Sequence, residues 1–143
     1  MVSTPRPERV KHFVIARGLP GAGKSTAIAR LHPGAIVCSA DHFFVGEDQV
    51  YRWDLERVSL AHQEAFEKAS QACLAGEPLI VMDNTHVQRW EFEGVAALAL
   101  QHGYTVSYLN VFDGGLSDKE LALRNAHGVS EEVIAEMRTK WED

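Results

Sequence analysis

The sequence predicts an α/β fold with a parallel β-sheet, and two observations carry this prediction. Short apolar runs typical of strands covered on both faces recur along the chain, and segments with helical periodicity or helix-capping residues lie between them. Strands that alternate with helices in this order assemble into a parallel sheet. The length of 143 residues suits one compact domain. We expect that domain over residues 11–143, behind a flexible tail at residues 1–10 in which Pro5 and Pro7 lie among charged residues.

Apolar runs and capping signals place the elements in order. The run Phe13-Val14-Ile15-Ala16 marks the first strand, and a proline and a glycine at Pro33-Gly34 stop the helix after the glycine loop. Strands are expected at residues 11–17, 35–39, 78–82 and 105–111. Helices are expected at residues 24–31, at 54–75 ending before Gly76, from the capping box Thr85–Gln88 to near Gly103, from the capping box Ser117–Glu120 through Arg124, and at 131–141 behind Ser130.

Composition and charge narrow the classes of protein. The net charge of −6 gives no support to broad electrostatic binding of nucleic acid, although it leaves room for a small basic groove. The two cysteines, Cys38 and Cys73, are too few for a zinc ligand set or a disulfide framework. No apolar run reaches the ~20 residues of a membrane span, and the N-terminus lacks the apolar core of a signal peptide. We therefore expect a cytoplasmic protein without membrane contact, and the sequence indicates no obligate protein partner.

The segment Gly18 to Thr26, Gly-Leu-Pro-Gly-Ala-Gly-Lys-Ser-Thr, matches the phosphate-binding pattern in full. Its inner glycines let successive backbone N–H groups point at phosphate oxygens, and the helix that follows adds its positive dipole end. The lysine brings a charge to the β- and γ-phosphates, and the serine hydroxyl can ligate Mg²⁺. An ordinary glycine-rich turn is the alternative, but a buried strand before it and a helix after it favour an ATP site. The expected nucleotide contacts are Pro20, Gly21, Ala22, Gly23, Lys24, Ser25 and Thr26.

Two carboxylates follow the second and third predicted strands, where ligands gather in open parallel sheets. Asp83 comes directly after Ile80-Val81-Met82 and is a candidate for organising the water shell of Mg²⁺, with helix entry near Thr85 as the alternative. Asp41 follows the second strand and is a candidate for accepting the proton of an acceptor hydroxyl, with a solvated loop aspartate as the alternative.

Several further motifs occur in register with these positions. They are Arg17 to Thr26, Ser39 to Phe44, Ala61-His62, Asp83 to His86, Arg124 to Val129, Met137 and Trp141-Glu142. Together they resemble a family of small P-loop kinases related to the 5′-hydroxyl polynucleotide kinases of phage and of eukaryotic repair proteins, over about residues 13–142. The resemblance implies a parallel sheet of about four strands in the order 2-3-1-4, flanked by helices and carrying a helical lid.

The resemblance also implies roles at individual positions. Lys24 and Ser25 match the triphosphate and metal contacts of the family, and Asp41 matches its general base. Asp83 matches the acidic residue that bears on acceptor or metal organisation. Arg124 matches a lid arginine that closes over the phosphates and stabilises charge on the transferred group, a task that suits a planar guanidinium. Catalytic roles are therefore expected for Lys24, Asp41 and Arg124, with ATP or another NTP and Mg²⁺ as cofactors.

The acceptor side departs from the family pattern. Phe44 occupies the position of an arginine that the phage enzyme uses on an acceptor phosphate, and His86 replaces an asparagine after the third strand. Arg52 and Arg89 are candidates to supply the missing charge, although an exposed arginine on a solvated face is the alternative for each. The acceptor contacts that we expect are Asp41, Phe44, Arg52, Asp83 and Arg89.

The hypothesis that follows is an ATP-dependent kinase acting on the 5′-hydroxyl of a nucleic acid end, DNA or RNA, with a role in nucleic acid repair. A kinase of a small alcohol such as a nucleoside is an alternative, which the acidic net charge and the loss of the arginine at position 44 favour. A non-catalytic NTP-binding module is a third reading, against which the joint presence of Lys24, Ser25, Asp41, Asp83 and Arg124 argues.

Overall fold

The computed structural model of the protein describes residues 10–143, so the expected tail lies outside the described residues except for Val10. The four strands found in this part of the chain form one sheet in the order β2-β3-β1-β4, and every neighbouring pair is parallel. Their bounds are β1 His12–Gly18, β2 Ile36–Cys38, β3 Leu79–Asp83 and β4 Thr105–Phe112. The α/β class and the strand order 2-3-1-4 are confirmed.

Five α-helices flank the sheet within residues 10–143. They are α1 Lys24–Leu31, α2 Val58–Leu74, α3 Trp90–Gln101, α4 Asp118–Arg124 and α5 Glu131–Lys140. The predicted long helix begins later than expected, because Leu55–Arg57 is a separate 3-10 turn capped by the side chain of Asp54. A second 3-10 helix, Ala40–Phe44, lies where the sequence indicated loop.

The alternation of side chains along β1 divides the core between the two faces of the sheet. Phe13 and Ile15 face the side covered by α2 and α3, where Ala69 and Phe92 pack against them. Val14 and Ala16 face the opposite side, which α1 covers through Ile28. Both faces of the central strand are therefore buried, as the continuous apolar run of its sequence predicts.

The capping box predicted at Thr85–Gln88 is wrong. His86 has a positive φ of 47°, a left-handed conformation that cannot belong to the first turn of an α-helix, and α3 begins only at Trp90. The carbonyl of Thr85 instead accepts a hydrogen bond from the Gly18 amide at 3.1 Å. Thr85 and its neighbours thus connect β3 to the end of β1 rather than starting a helix.

The second capping box, at Ser117–Glu120, is present and starts α4. Helices α4 and α5 pack on each other and on the glycine loop, with Leu121 and Ile134 fully buried in a cluster with Leu19 and Ala22. We call α4, α5 and the turn between them the helical lid. Its packing fixes the lid directly above the loop that follows β1.

Arg17 is almost fully buried at the end of β1 and ties the C-terminal segment to the sheet. Its guanidinium donates to the carbonyls of His86 (2.9 Å), Val87 (3.3 Å) and Glu142. The aromatic rings of Phe92 and Trp141 lie on it, with ring centroids 4.6 and 4.5 Å from the guanidinium carbon. Trp141 and Glu142 are therefore part of a structural clamp on Arg17.

No helix within residues 10–143 is long and apolar enough to cross a membrane.

Candidate phosphoryl-transfer site

The glycine loop joins the end of β1 to the start of α1. Gly21 and Gly23 have positive φ angles of 82° and 101°, which aim successive amides to one side of the loop. A Cβ at Gly21 would lie 2.5 Å from the carbonyl oxygen of Leu121 in the helical lid, so this position has no room for a side chain. The loop has the backbone of an anion cradle, and the N-terminus of α1 opens onto it.

Lys24 and Asp83 meet at the centre of the site. The Nζ of Lys24 lies 3.2 Å from Oδ1 of Asp83, and both side chains are largely buried. The two atoms form an ion pair, and Oδ1 of Asp83 has no hydrogen-bond partner among residues 10–143, so this oxygen keeps acceptor capacity. The pair places a cation and a carboxylate next to each other at the carboxyl end of the sheet.

Asp41 lies on the 3-10 helix after β2, and short local bonds fix its backbone. The Ser39 hydroxyl accepts from the amide of Asp41 at 3.2 Å and caps this helix. The side-chain oxygen of Asn84, after β3, accepts from the amide of Ala40 at 3.0 Å. The neighbouring ends of β2 and β3 are thereby joined, which brings Asp41 to the same edge of the sheet as Asp83.

Two further side chains contact the Asp41 carboxylate. The Tyr51 hydroxyl donates to Oδ1 at 3.2 Å, and the His127 Nε2 lies 3.4 Å from Oδ2. Burial, and then the negative charge of Asp41, raises the pKa of Tyr51 to about 12, so this phenol stays protonated and remains a donor. No sequence pattern assigned Tyr51 to the site, whereas His127 belongs to the motif Arg124 to Val129 on which the family resemblance rests.

One cavity of about 650 Å³ unites these groups. The glycine loop lines it, and so do Asp41, Asp83 and, from the helical lid, Arg124 and His127. The residues of the predicted nucleotide site line it together: Pro20, Gly21, Ala22, Gly23, Lys24, Ser25 and Thr26. The structure thus brings the predicted nucleotide contacts, both carboxylates and the lid arginine to a single space.

Of the three remaining candidates for acceptor contacts, Phe44 lines the cavity, whereas Arg52 and Arg89 do not. Phe44 lines the cavity but is buried against Ala61. Arg52 lies outside the cavity in an exposed ion pair with Asp48 at 2.6 Å. Arg89 lies outside it as well, and its guanidinium donates to the main-chain oxygen of Asp143 at 2.9 and 2.6 Å. The guanidinium of Arg89 is therefore directed to the C-terminal segment rather than to Asp83.

A shallow groove of about 590 Å³ adjoins the cavity. Phe44 and Trp53 line both spaces, so the groove borders the cavity that Asp41 lines. The predicted acceptor residue Arg52 lines the groove. Trp53 is 56% exposed, and the Arg57 guanidinium carbon lies 5.2 Å from the ring centroid of Phe43. An exposed indole and a cation beside an aromatic ring are surfaces on which a planar ring can stack.

The sheet order and the glycine loop define a domain with the P-loop kinase fold. A family model described as an AAA domain matches residues 13–142, and the chain belongs to that family. Human NEDD4-binding protein 2 is 36% identical over an alignment of 129 residues that covers 87% of this chain and 7% of that protein.

Solved structures share the fold at low sequence identity. A chain of the Pnkp1/Rnl/Hen1 RNA repair complex superposes with a TM-score of 0.71 at 13% identity, covering 97% of this chain and 46% of that chain. A gluconokinase from Sinorhizobium meliloti 1021 superposes with a TM-score of 0.54 at 15% identity, covering 95% of this chain and 78% of that chain. This chain therefore spans less than half the length of NEDD4-binding protein 2 and of the RNA repair chain.

Proposed function

We propose that this chain is an ATP-dependent kinase that transfers the γ-phosphoryl group to the 5′-hydroxyl of a nucleic acid end. The observation that carries the proposal is the placement of Asp41 in one cavity with the glycine loop. A carboxylate facing a triphosphate site can accept the proton of an acceptor hydroxyl and align its oxygen for attack. A module that only binds NTP has no need of such a group.

The residues of the loop fit ATP and Mg²⁺. The positive-φ glycines give the amide cradle, and Lys24, now paired with Asp83, can exchange that partner for phosphate oxygens. The Ser25 hydroxyl and the Asp83 carboxylate would hold the metal, Asp83 through water. When bound, Mg²⁺ neutralises charge on the β- and γ-phosphates.

The remaining chemistry is positioning and charge stabilisation by side chains of this chain. The acceptor oxygen bonds to the γ-phosphorus while its proton passes to Asp41. At the same time the bond between the γ-phosphorus and the β-phosphate oxygen breaks. Lys24 stays on the phosphates, and Arg124 reaches them from the lid with a planar guanidinium suited to two parallel hydrogen bonds. Arg124 has an exposed side chain that lines the cavity.

The proposal that the acceptor is a nucleic acid rests on the groove that borders the cavity. The exposed Trp53 offers a ring face on which a base can stack, and Arg57 offers a cation for a phosphate. The likeness to a chain of an RNA repair complex supports a nucleic acid acceptor. A small alcohol is the second candidate, because Arg89 is bonded to the C-terminal segment and Arg52, which lines the groove, is already paired with Asp48.

The test is phosphoryl transfer from γ-labelled ATP with Mg²⁺ to 5′-hydroxyl oligonucleotides of DNA and RNA, and separately to nucleosides and sugar acids. We expect label on oligonucleotides. The Asp41→Asn variant should lower kcat by about 10²- to 10⁴-fold while ATP affinity stays within about two-fold, because only the proton acceptor is lost.

Glu47→Gln is the matched control, since Glu47 is exposed on the loop near Asp41 and lines neither the cavity nor the groove. It should transfer at the wild-type rate. Label confined to nucleosides or sugar acids would exclude the polynucleotide acceptor. Equal loss of ATP binding and transfer in Asp41→Asn would remove Asp41 from the role of base.

A further inference from the structure

Two residues from separate parts of the chain hold the Asp41 carboxylate, one on each oxygen. Tyr51 belongs to the segment after the 3-10 helix and donates its hydroxyl to Oδ1 at 3.2 Å. His127 belongs to the helical lid and brings Nε2 to 3.4 Å from Oδ2. The two rings also contact each other, with centroids 4.2 Å apart. Asp41, Tyr51 and His127 thus form one cluster between the acceptor side and the lid.

We propose that His127 is a positioning residue of the phosphoryl transfer: with Tyr51 it orients the Asp41 carboxylate, and it docks the lid segment that carries Arg124 onto the base. The inference rests on the proposed function, because it takes Asp41 as the group that accepts the acceptor proton. Docking of the helical lid and orientation of the Asp41 carboxylate are therefore coupled through His127.

The turn that carries His127 is built as a rigid unit. The side-chain amide of Asn125 donates to the carbonyls of Leu121 (3.2 Å), Ala122 (3.0 Å) and Val129 (2.9 Å). Its side-chain oxygen accepts from the amides of His127 (3.2 Å) and Val129 (2.9 Å). Arg124 directly precedes this network. When the turn is placed so that His127 contacts Asp41, the point at which Arg124 enters the cavity is therefore fixed as well.

The contacts within this cluster leave the Asp41 carboxylate able to accept a proton from the acceptor hydroxyl. The carboxylate has about four lone-pair sites, of which Tyr51 takes one and His127 approaches another. The side chain of Asp41 remains 45% exposed, so an acceptor hydroxyl can still reach it. The Tyr51 hydroxyl on one oxygen and the His127 ring beside the other restrict rotation of the carboxylate, which favours one orientation for attack. The acceptor then meets a fixed base rather than a freely rotating one.

The experiment compares His127→Ala, His127→Gln and Tyr51→Phe with the wild-type chain in the transfer assay. His127→Ala should lower kcat about ten-fold and leave the KM for ATP within about two-fold, because misplacing a reacting group affects the transition state. The amide of His127→Gln can still donate to Asp41, so it should recover most of the rate. Tyr51→Phe should also lower kcat. His42→Ala, an exposed histidine next to Asp41 and outside the cavity, is the matched control and should behave as wild type.

Amide hydrogen exchange gives a readout that needs no acceptor. His127→Ala should speed exchange in residues 124–130 relative to His42→Ala, because the lid turn loses its contact with Asp41. Full activity of His127→Ala, or the same loss in His127→Gln as in His127→Ala, overturns the proposal. Should the wild-type chain label no acceptor, the proposed function fails, and unchanged exchange in residues 124–130 then overturns this inference as well.

Discussion

Two glycines with nearly the same backbone geometry differ in their surroundings. Gly21 in the phosphate loop and Gly34 in the turn before β2 have φ angles of 82° and 80°. A Cβ at Gly34 would meet nothing within 4 Å, whereas at Gly21 it would lie 2.5 Å from the carbonyl oxygen of Leu121. The close approach of the lid, and not the backbone angle alone, therefore requires glycine at position 21.

Gly21→Ala should consequently destabilise the protein more than Gly34→Ala. Both substitutions put an L-residue into the left-handed region, at about 1–2 kcal/mol each. Only the first also forces the lid away from the loop, so its loss in the free energy of unfolding should exceed that of Gly34→Ala by about 1 kcal/mol or more. Urea unfolding of the two variants measures this, and equal losses would show that the lid yields without cost.

The residues of the site differ in how far the sequence could predict them. The expected nucleotide contacts, Lys24 among them, come from a short local pattern, and Asp41 and Asp83 come from the ends of apolar strands. Tyr51 and His127 have no such signal, because their contact with Asp41 depends on the path of a loop and on how the lid docks. Arg52 and Arg89 were expected on the acceptor side: Arg52 lines the groove while paired with Asp48, whereas Arg89 is bonded to the C-terminal segment.

Among the elements, the strands and most helices follow from sequence because their signals are local. The apolar runs predicted the four strands to within about two residues, and the capping box at Ser117 predicted α4. The box at Thr85 failed because the backbone there turns left-handed at His86 and bonds to Gly18. Tertiary bonding overrides a capping pattern when the segment must connect two strands.

The C-terminal segment is held by Arg17, and this clamp is testable. Arg17→Lys keeps the charge but lacks the planar, forked guanidinium that bonds the carbonyls of His86, Val87 and Glu142 and lies against two aromatic rings, so the free energy of unfolding should fall by about 2 kcal/mol. Arg52→Lys, at an exposed ion pair, should change it by less than about 0.5 kcal/mol. Urea unfolding followed by circular dichroism compares the two, and similar values for both variants would contradict the clamp.

For the whole molecule, the strand order was implied by the family resemblance, since periodicity alone does not say which strands are neighbours. The net charge of −6 is compatible with the site because its cations are few and local. One buried group gives the molecule a global pH dependence. His86 is 2% exposed, its Nδ1 bonds the Ala16 carbonyl at 2.7 Å, and its Nε2 has no hydrogen-bond partner in the described part of the chain.

Burial is the main cause that lowers the pKa of His86 from 6.5 to about 4. Between pH 6.5 and about 4, His86 binds a proton in the unfolded chain but not in the folded chain, so the free energy of unfolding falls as the pH drops through this window. The resulting difference in the free energy of unfolding between neutral pH and about pH 4 amounts to roughly 3 kcal/mol. Asparagine tolerates the left-handed backbone at this position, so His86→Asn should lose this part of the pH dependence.

The measurement is urea unfolding at pH 7 and near pH 4 for wild type, His86→Asn and the exposed control His42→Asn. His42→Asn should keep the wild-type difference between the two pH values. An undiminished difference in His86→Asn would mean that other groups cause the acid sensitivity.

The Arg17 clamp has a consequence for the lid. The lid is joined to the sheet at both ends, through β4 on one side and through Trp141 and Glu142 on Arg17 on the other. Arg124, which we propose acts on the phosphates, is thus an arginine supplied in cis. Its approach to the nucleotide is an intramolecular event that loses little translational or rotational entropy, so closure should be independent of protein concentration.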